Sequence, residues 1–328
     1  MLNKFLNTKT LVILLIIVLG IYFLSDMFEN EDRTFRSELV SMDTAEITKI
    51  VIVPKIGGGD EISLIRTGAA WELKSAGKSY KPDNNAIKNI ITKLSILKPE
   101  RVAATNSSKW KGFEVTDSTS TRVKLYVGDK VESEIYIGKF SYTQPPQGQG
   151  QMQQRQQQGK MSTHVRLAGE DEVYVVDGFL KMEIQSNVDA YRDKTLLAAN
   201  KDDLTKLTFK YPDNNNFTLT RENNKWMING NEADSANTAK YLQKLKRLTS
   251  TNFIDNIDPV GNQPSHYVKF EGNNMLPVEI KAFPIMDTIN QFVVTTSRIP
   301  DAKFSGGKNN LFENIFPIPE DLLKQEKE

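Results

Sequence analysis

Three consecutive glycines, Gly57-Gly58-Gly59, are the first place in this sequence to look for phosphate chemistry, because glycine lets backbone amides crowd around an anion. No Gly-Lys-Ser/Thr follows them, and Asp60 would repel a phosphate, so the run reads as a turn. His164 and His266 are the two histidines. His164 stands at the entry to one strand pattern and His266 just before another, and no carboxylate is paired with either at ligand spacing. Zero cysteines remove thiolate catalysis, disulfides, iron–sulfur clusters and cysteine-bound zinc together. A serine nucleophile would need a Gly-x-Ser-x-Gly elbow, which is absent. Glu170-Asp171-Glu172 falls in a turn between strand patterns, and Asp213 to Asn216 lacks the alternating oxygens and glycine of a calcium loop. We therefore assign no catalytic, cofactor-binding or metal-binding residue, and expect neither enzyme activity nor a cofactor.

The remaining side chains of interest are aromatic. Trp71 and Trp226 occupy matched positions in an internal repeat. They could be platforms for sugars or peptides, but matched placement favours structural core anchors, each covering about 150–250 Å². Trp110 has no such echo and neighbours Phe113, which makes Trp110 and Phe113 the candidate partner contact. Lys240, Lys244, Lys246 and Arg247 read as the wet face of an amphipathic helix.

The elements that position these residues come as a cassette, Glu46 to Arg101, that recurs from Asp203 to Phe253. Ile47-Thr48-Lys49-Ile50 is echoed by Leu204-Thr205-Lys206-Leu207, Leu64-Ile65-Arg66 by Leu219-Thr220-Arg221, and Ile90-Ile91-Thr92-Lys93-Leu94 by Tyr241-Leu242-Gln243-Lys244-Leu245. The offset falls from 157 to 155 to 151 residues, so length changes sit between elements, as loops allow. Each copy predicts strand, strand, tryptophan strand, then a helix. The first helix opens at Pro82-Asp83 and carries Ile87, Ile90, Ile91, Leu94 and Leu97 on one 3.6-residue face. Its partner carries Thr238, Tyr241, Leu242, Leu245 and Leu248, with Asp234 in the capping position. Further alternating strands are predicted at Arg122 to Val127, Ser133 to Gly138, Thr163 to Leu167 and Val173 to Val176, and helical patterns at Phe179 to Ile184 and Val188 to Leu197. In the second copy, Tyr267 to Phe270, Pro277 to Ala282 and Phe292 to Thr296 take the corresponding strand places. Nine of the 17 residues from Gln144 to Lys160 are glutamine, and the stretch lies between strands as a solvated hairpin tip.

The N-terminus places Lys4 and Lys9 before an apolar run from Leu11 to Leu24, followed by Asp26, Glu29, Glu31 and Asp32. A helix over residues 10–28 would reach about 28 Å, close to a hydrocarbon core of roughly 30 Å. No small-x-small cleavage site follows, so a retained anchor is read over a cleaved signal. The charge asymmetry keeps residues 1–9 cytoplasmic and exports the rest. Residues 29–45 read as a stalk with a helix from Thr34 to Met42, residues 46–200 as a first domain containing the 144–160 insertion, residues 201–320 as a second, and 321–328 as a charged tail. The expected fold class is α+β: an N-terminal transmembrane helix followed by two duplicated, antiparallel-dominated sheet-plus-helix domains. A net charge of +1 offers no field for a nucleic acid.

Tyr191-Arg192-Asp193-Lys194-Thr195-Leu196-Leu197, then Asp203-Leu204-Thr205-Lys206-Leu207, then Leu219-Thr220-Arg221 leading to Trp226 resemble the signature of domain of unknown function 4340. The resemblance runs from about Asp43 to about Asp255, and the Gln144 to Lys160 insertion departs from it. It implies a bacterial inner-membrane protein whose bulk is periplasmic. Its implied role is auxiliary to ABC-type transporters, including the type tied to gliding motility, with transporter membrane subunits or envelope proteins as partners. It carries over no catalytic residue. The alternative function is a periplasmic binding module for envelope glycan or peptide, with its ligand between the copies.

Overall fold

The computed structural model describes Leu15, residues 36–144 and residues 159–324. The anchor read over 10–28, apart from Leu15, lies outside the described residues, as do residues 145–158 of the glutamine-rich stretch and the last four residues of the tail. No helix among the described residues is long and apolar enough to cross a membrane.

Strands form where apolar and polar side chains alternate, because that pattern buries one face and wets the other. The first run of elements is β1 (Val40–Ser41), β2 (Lys49–Val53), β3 (Ile62–Thr67), β4 (Ala70–Ser75), β5 (Lys78–Tyr80), helix α1 (Asn84–Ser95), β6 (Ile96–Leu97) and β7 (Pro99–Ala104). It continues through α2 (Trp110–Phe113), β8 (Thr121–Val127), β9 (Lys130–Thr143), β10 (Lys160–Leu167), β11 (Val173–Asp177) and α3 (Leu180–Glu183). Nine of these strands make one sheet in the order β5-β4-β3-β2-β8-β9-β10-β11-β7.

The second run is β12 (Thr195–Leu197), β13 (Leu204–Lys210), β14 (Phe217–Glu222), β15 (Lys225–Ile228), β16 (Asn231–Glu232), α4 (Ser235–Leu245) and β17 (Leu248–Thr249). It ends with β18 (His266–Gly272), β19 (Val278–Pro284), β20 (Phe292–Thr296), β21 (Ile299–Ser305) and α5 (Leu311–Ile315). Its sheet runs β16-β15-β14-β13-β18-β19-β20-β21. The two orders superimpose strand for strand, from β5 with β16 to β11 with β21, and only β7 is extra. The small ladders β1–β6 and β12–β17 also match, both antiparallel. The duplication thus extends past the cassette through each whole sheet, and the α+β class with two antiparallel sheets is what the chain adopts.

The chain divides into two compact units, Met1–Trp71 with Ile87–Ser186, and Glu72–Ala86 with Asn187–Glu328. In the first, Ile50, Ile52, Ile62, Leu64, Val123, Leu125, Ile135 and Ile137 are fully enclosed, as are Ile87 and Leu94 of α1. Each such side chain contributes about 1.5–3 kcal/mol by leaving water. In the second, Leu207, Phe209, Phe217, Leu219, Phe270 and Ile280 form the core with Tyr241, Leu242 and Leu245 of α4. Phe209 and Phe217 stack at 4.3 Å. The β14–β15 hairpin closes on Asn223-Asn224, both at positive φ (49° and 65°), the conformation that a two-residue turn matched to strand twist requires.

Both helices begin as their sequences predict. Asp83 accepts from the amides of Asn85 (2.9 Å) and Ala86 (3.3 Å), and Asp234 from that of Asn237 (2.7 Å). Asp234→Ala, which frees that amide, is expected to cost about 1 kcal/mol, read as a lowered urea midpoint.

Some elements differ from the sequence reading. The helix expected from Thr34 to Met42 is not formed over its described part: Leu39 and Val40 are buried, and the Leu39 amide donates to the Leu97 carbonyl at 2.7 Å. This end of the expected stalk is a strand because it completes a ladder with the chain leaving α1. Leu97 is buried as expected, but in that ladder rather than on the helix, which ends at Ser95. The helical pattern Val188 to Leu197 resolves into a 3-10 turn at Val188–Ala190 and strand β12.

Candidate functional site

Trp110 and Phe113 sit on the short α2 segment, which crosses β9 and β10 where the register shifts. Phe140 pairs with Thr163 and Ile137 with Val165, so Gly138 and Lys139 together oppose His164. This bulge turns the His164 ring onto Phe113, with centroids 4.7 Å apart and planes at 27°. The His164 Nδ1 lies 3.1 Å from the Lys139 carbonyl, and the Lys139 ammonium lies 5.1 Å over the Phe113 ring.

Beside it, the buried guanidinium of Arg166 lies 3.8 Å from the ring centroids of both Trp110 and Tyr136. The Arg166 Nε donates to the Val115 carbonyl (3.2 Å) and a terminal nitrogen to that of Leu167 (3.2 Å). The Trp110 indole donates to the Asp171 carbonyl at 2.9 Å. Aromatic quadrupoles and carbonyl dipoles thus solvate a charge that a carboxylate would otherwise neutralise. Trp110 and Phe113, the candidate partner contact, are half-buried and engaged in holding Arg166 and His164.

The second unit holds a related arrangement at Arg192. Its buried guanidinium lies 3.7 Å from the Phe253 ring and 4.5 Å from that of Tyr80. It also donates to Asp189 at 3.0 Å and Asp255 at 2.6 Å. Asp255 in turn accepts from the Lys303 amide at 3.0 Å, which ties this knot to β21.

The half-buried His266, at the start of β18, has Tyr211, Phe292, Phe312 and Phe316 around it at centroid distances of 4.9, 5.7, 4.8 and 5.5 Å. Its Nδ1 lies 3.0 Å from the Ser265 hydroxyl. Burial lowers the pKa of both histidines below the ordinary 6.5. For His164 the Lys139 carbonyl opposes burial, while the charges of Lys139 and Arg101 reinforce it. A base with a depressed folded-state pKa is protonated first in the unfolded chain, so its stability contribution is complete above 6.5 and falls as pH drops below it. The urea midpoint is expected to fall between pH 7 and pH 5, and less steeply in a His164→Phe/His266→Phe variant.

Residues 153–267 match a family described as a domain of unknown function, DUF4340. The chain is similar to that family over this span, which includes Arg166, Arg192 and Trp226 but not Trp71, Trp110 or Phe113. It takes in the Tyr191–Leu197 run that carried the resemblance, whereas residues 43–152 fall outside it. No curated protein and no solved structure matches the chain.

Trp71 in β4 and Trp226 in β15 are both half-buried rather than enclosed. Trp226 packs against the second core and also lines a groove of about 250 Å³ with Arg221, Lys225 and Glu232. Arg166 and Arg192 are the residues that sequence reasoning missed, since a buried cation clasped by distant rings leaves no local spacing. The one signal is Arg192 itself, within the run that carried the resemblance.

Proposed function

We propose that this chain is a non-catalytic, single-pass membrane protein whose two sheet units act outside the cytoplasm as an accessory or scaffold subunit of an ABC-type transporter assembly, possible gliding-motility machinery included. The observation that carries this reading is that the groups best suited to chemistry are engaged in the fold's own contacts: two guanidiniums between rings, one histidine stacked on a ring, another packed beside four. The basic, apolar, acidic order of the N-terminus and the family similarity support the membrane placement and the class of assembly. Crosslinking in intact cells followed by purification in mild detergent should recover transporter subunits with the chain. Repeated recovery without any of them sinks the idea. Protease added to spheroplasts should digest the chain beyond about residue 30, and protection of that region would reverse the topology.

The half-buried Trp226, flanked in its groove by Arg221, Lys225 and Glu232, favours as second reading a binding module for envelope glycan or peptide. On that reading Trp226→Ala should lower retention on immobilised peptidoglycan at least several-fold, by loss of a stacking face. Unchanged retention would leave the tryptophan a structural role.

A further inference from the structure

In the first unit, Lys93 of α1 pairs with Glu183 of α3 at 3.2 Å, joining the long helix to the short helix that follows the last central strand. The repeat aligns Lys93 with Lys244 of α4, and α5 takes the place of α3. There the pairing is missing: Lys244 and Lys240, one turn earlier and both exposed, have no ion pair among the described residues. In its place the second unit has an open groove of about 630 Å³, walled by Phe292, Phe312 and Phe316 and rimmed by Ile318 and the two lysines. Phe292 and Phe312 stack at 4.1 Å with planes 7° apart, and Phe316 lies 5.1 Å from Phe312, so the wall is apolar and closely packed. A cavity of this size suits a small ligand.

We propose that this groove binds a small amphipathic carboxylate, an aryl or acyl acid, with its apolar body against Phe292, Phe312 and Phe316 and its carboxylate at Lys240 and Lys244. Two ammonium groups at i and i+4 stand about one helical turn apart, near enough for one anion to bridge. Glu313 and Asp321 share the rim and form no ion pair with either lysine among the described residues, so both ammonium groups are open to a ligand while the two carboxylates repel any further negative charge. They favour a ligand with a single anionic end over a multiply charged one. The polar atoms of the wall argue against a peptide as occupant. The Asn237 amide is committed to the Asp321 carbonyl (2.9 Å) and the Tyr241 hydroxyl to the Ile315 carbonyl (2.8 Å). A peptide's backbone groups would find little to bond there and would lose their water, whereas an aryl or acyl chain has none to satisfy. The inference concerns this groove alone and stands whether or not the chain serves a transporter.

The test uses the full chain in lipid nanodiscs, free of competing detergent, titrated calorimetrically with 2-naphthoate and with decanoate. Empty nanodiscs supply the blank. Saturable binding of at least one probe is expected in the sub-millimolar range, weakened at least tenfold in Lys240→Gln/Lys244→Gln and abolished in Phe312→Glu. Uncharged 2-naphthol should bind the wild-type chain no better than naphthoate binds the double variant. The glutamines replace exposed side chains, so an unchanged urea midpoint in that variant separates lost binding from lost folding. Absence of saturable binding of both probes overturns the proposal. So does binding that the double glutamine variant leaves unchanged.

Discussion

Gly138→Ala is expected to destabilise the first unit by about 3 kcal/mol, at the upper end for an overpacked site. A β-carbon there would press against the Phe113 carbonyl oxygen, lie 2.6 Å from the Val115 Cγ1 and 3.1 Å from the His164 carbonyl oxygen. Two of those three atoms are backbone, so no side-chain rotation relieves the contact. The chain from Phe113 to Val115 must lift off the sheet instead, or the β9–β10 bulge must flatten. Either movement disturbs the Phe113–His164 stack and the Trp110–Arg166 contact together. Urea unfolding followed by tryptophan emission should show an early loss of the Trp110 environment, with the second unit's transition unmoved. A variant as stable as the parent would show that the crossing segment is loosely held.

The second large effect is expected at Arg192. Arg192→Met keeps much of the volume between Phe253 and Tyr80 but leaves Asp255 and Asp189 facing the site without their cation. Breaking a buried pair from one side costs about 3–5 kcal/mol. Asp189 and Asp255 keep about a third and a quarter of their side-chain exposure, which places this case near 3 kcal/mol. Adding Asp255→Asn should recover part of the loss, because the uncompensated charge goes while the amide oxygen can still accept from the Lys303 amide. Denaturation of the second unit, compared across the two single variants and the double, measures the coupling. Additive losses would mean that Arg192 acts through ring packing alone.

Much of this architecture is legible in the sequence because the repeat spells each element twice. Ile87, Ile90, Ile91 and Leu94 are buried on one face, their counterparts Thr238, Tyr241, Leu242 and Leu245 likewise, and both capping aspartates cap. β7 and β21 are not legible in it, and the reason is visible in their residues. Pro99-Glu100-Arg101 and Ile299-Pro300-Asp301 open the outermost strands of their sheets, where a proline's missing amide is tolerated and strict alternation is not demanded. The groove walled by Phe292, Phe312 and Phe316 was equally hidden. It joins residues on either side of β21, and its lysines read only as a wet helix face until the missing ion pair marked them. The guanidinium contacts were hidden for the same reason: Arg166 meets Trp110 and Tyr136 across 56 and 30 positions of sequence.

Those same edges bear on how the chain can associate. Each sheet ends on one side in a very short strand, β5 with three residues and β16 with two. On the other side it ends in a strand that carries a proline and charges, β7 with Pro99, Glu100 and Arg101, β21 with Pro300, Asp301 and Lys303. Short length, a missing amide and charged side chains keep an exposed ladder from templating another strand, and the outer side of β21 is partly taken besides: the Ile254 amide donates to the Lys303 carbonyl (2.8 Å) and the Ser305 amide to the Asn252 carbonyl (3.0 Å). A protein built from two broad sheets is thereby guarded against fibrous self-assembly at all four margins. Whatever docks onto it is left to recognise side-chain surfaces, not to extend a sheet.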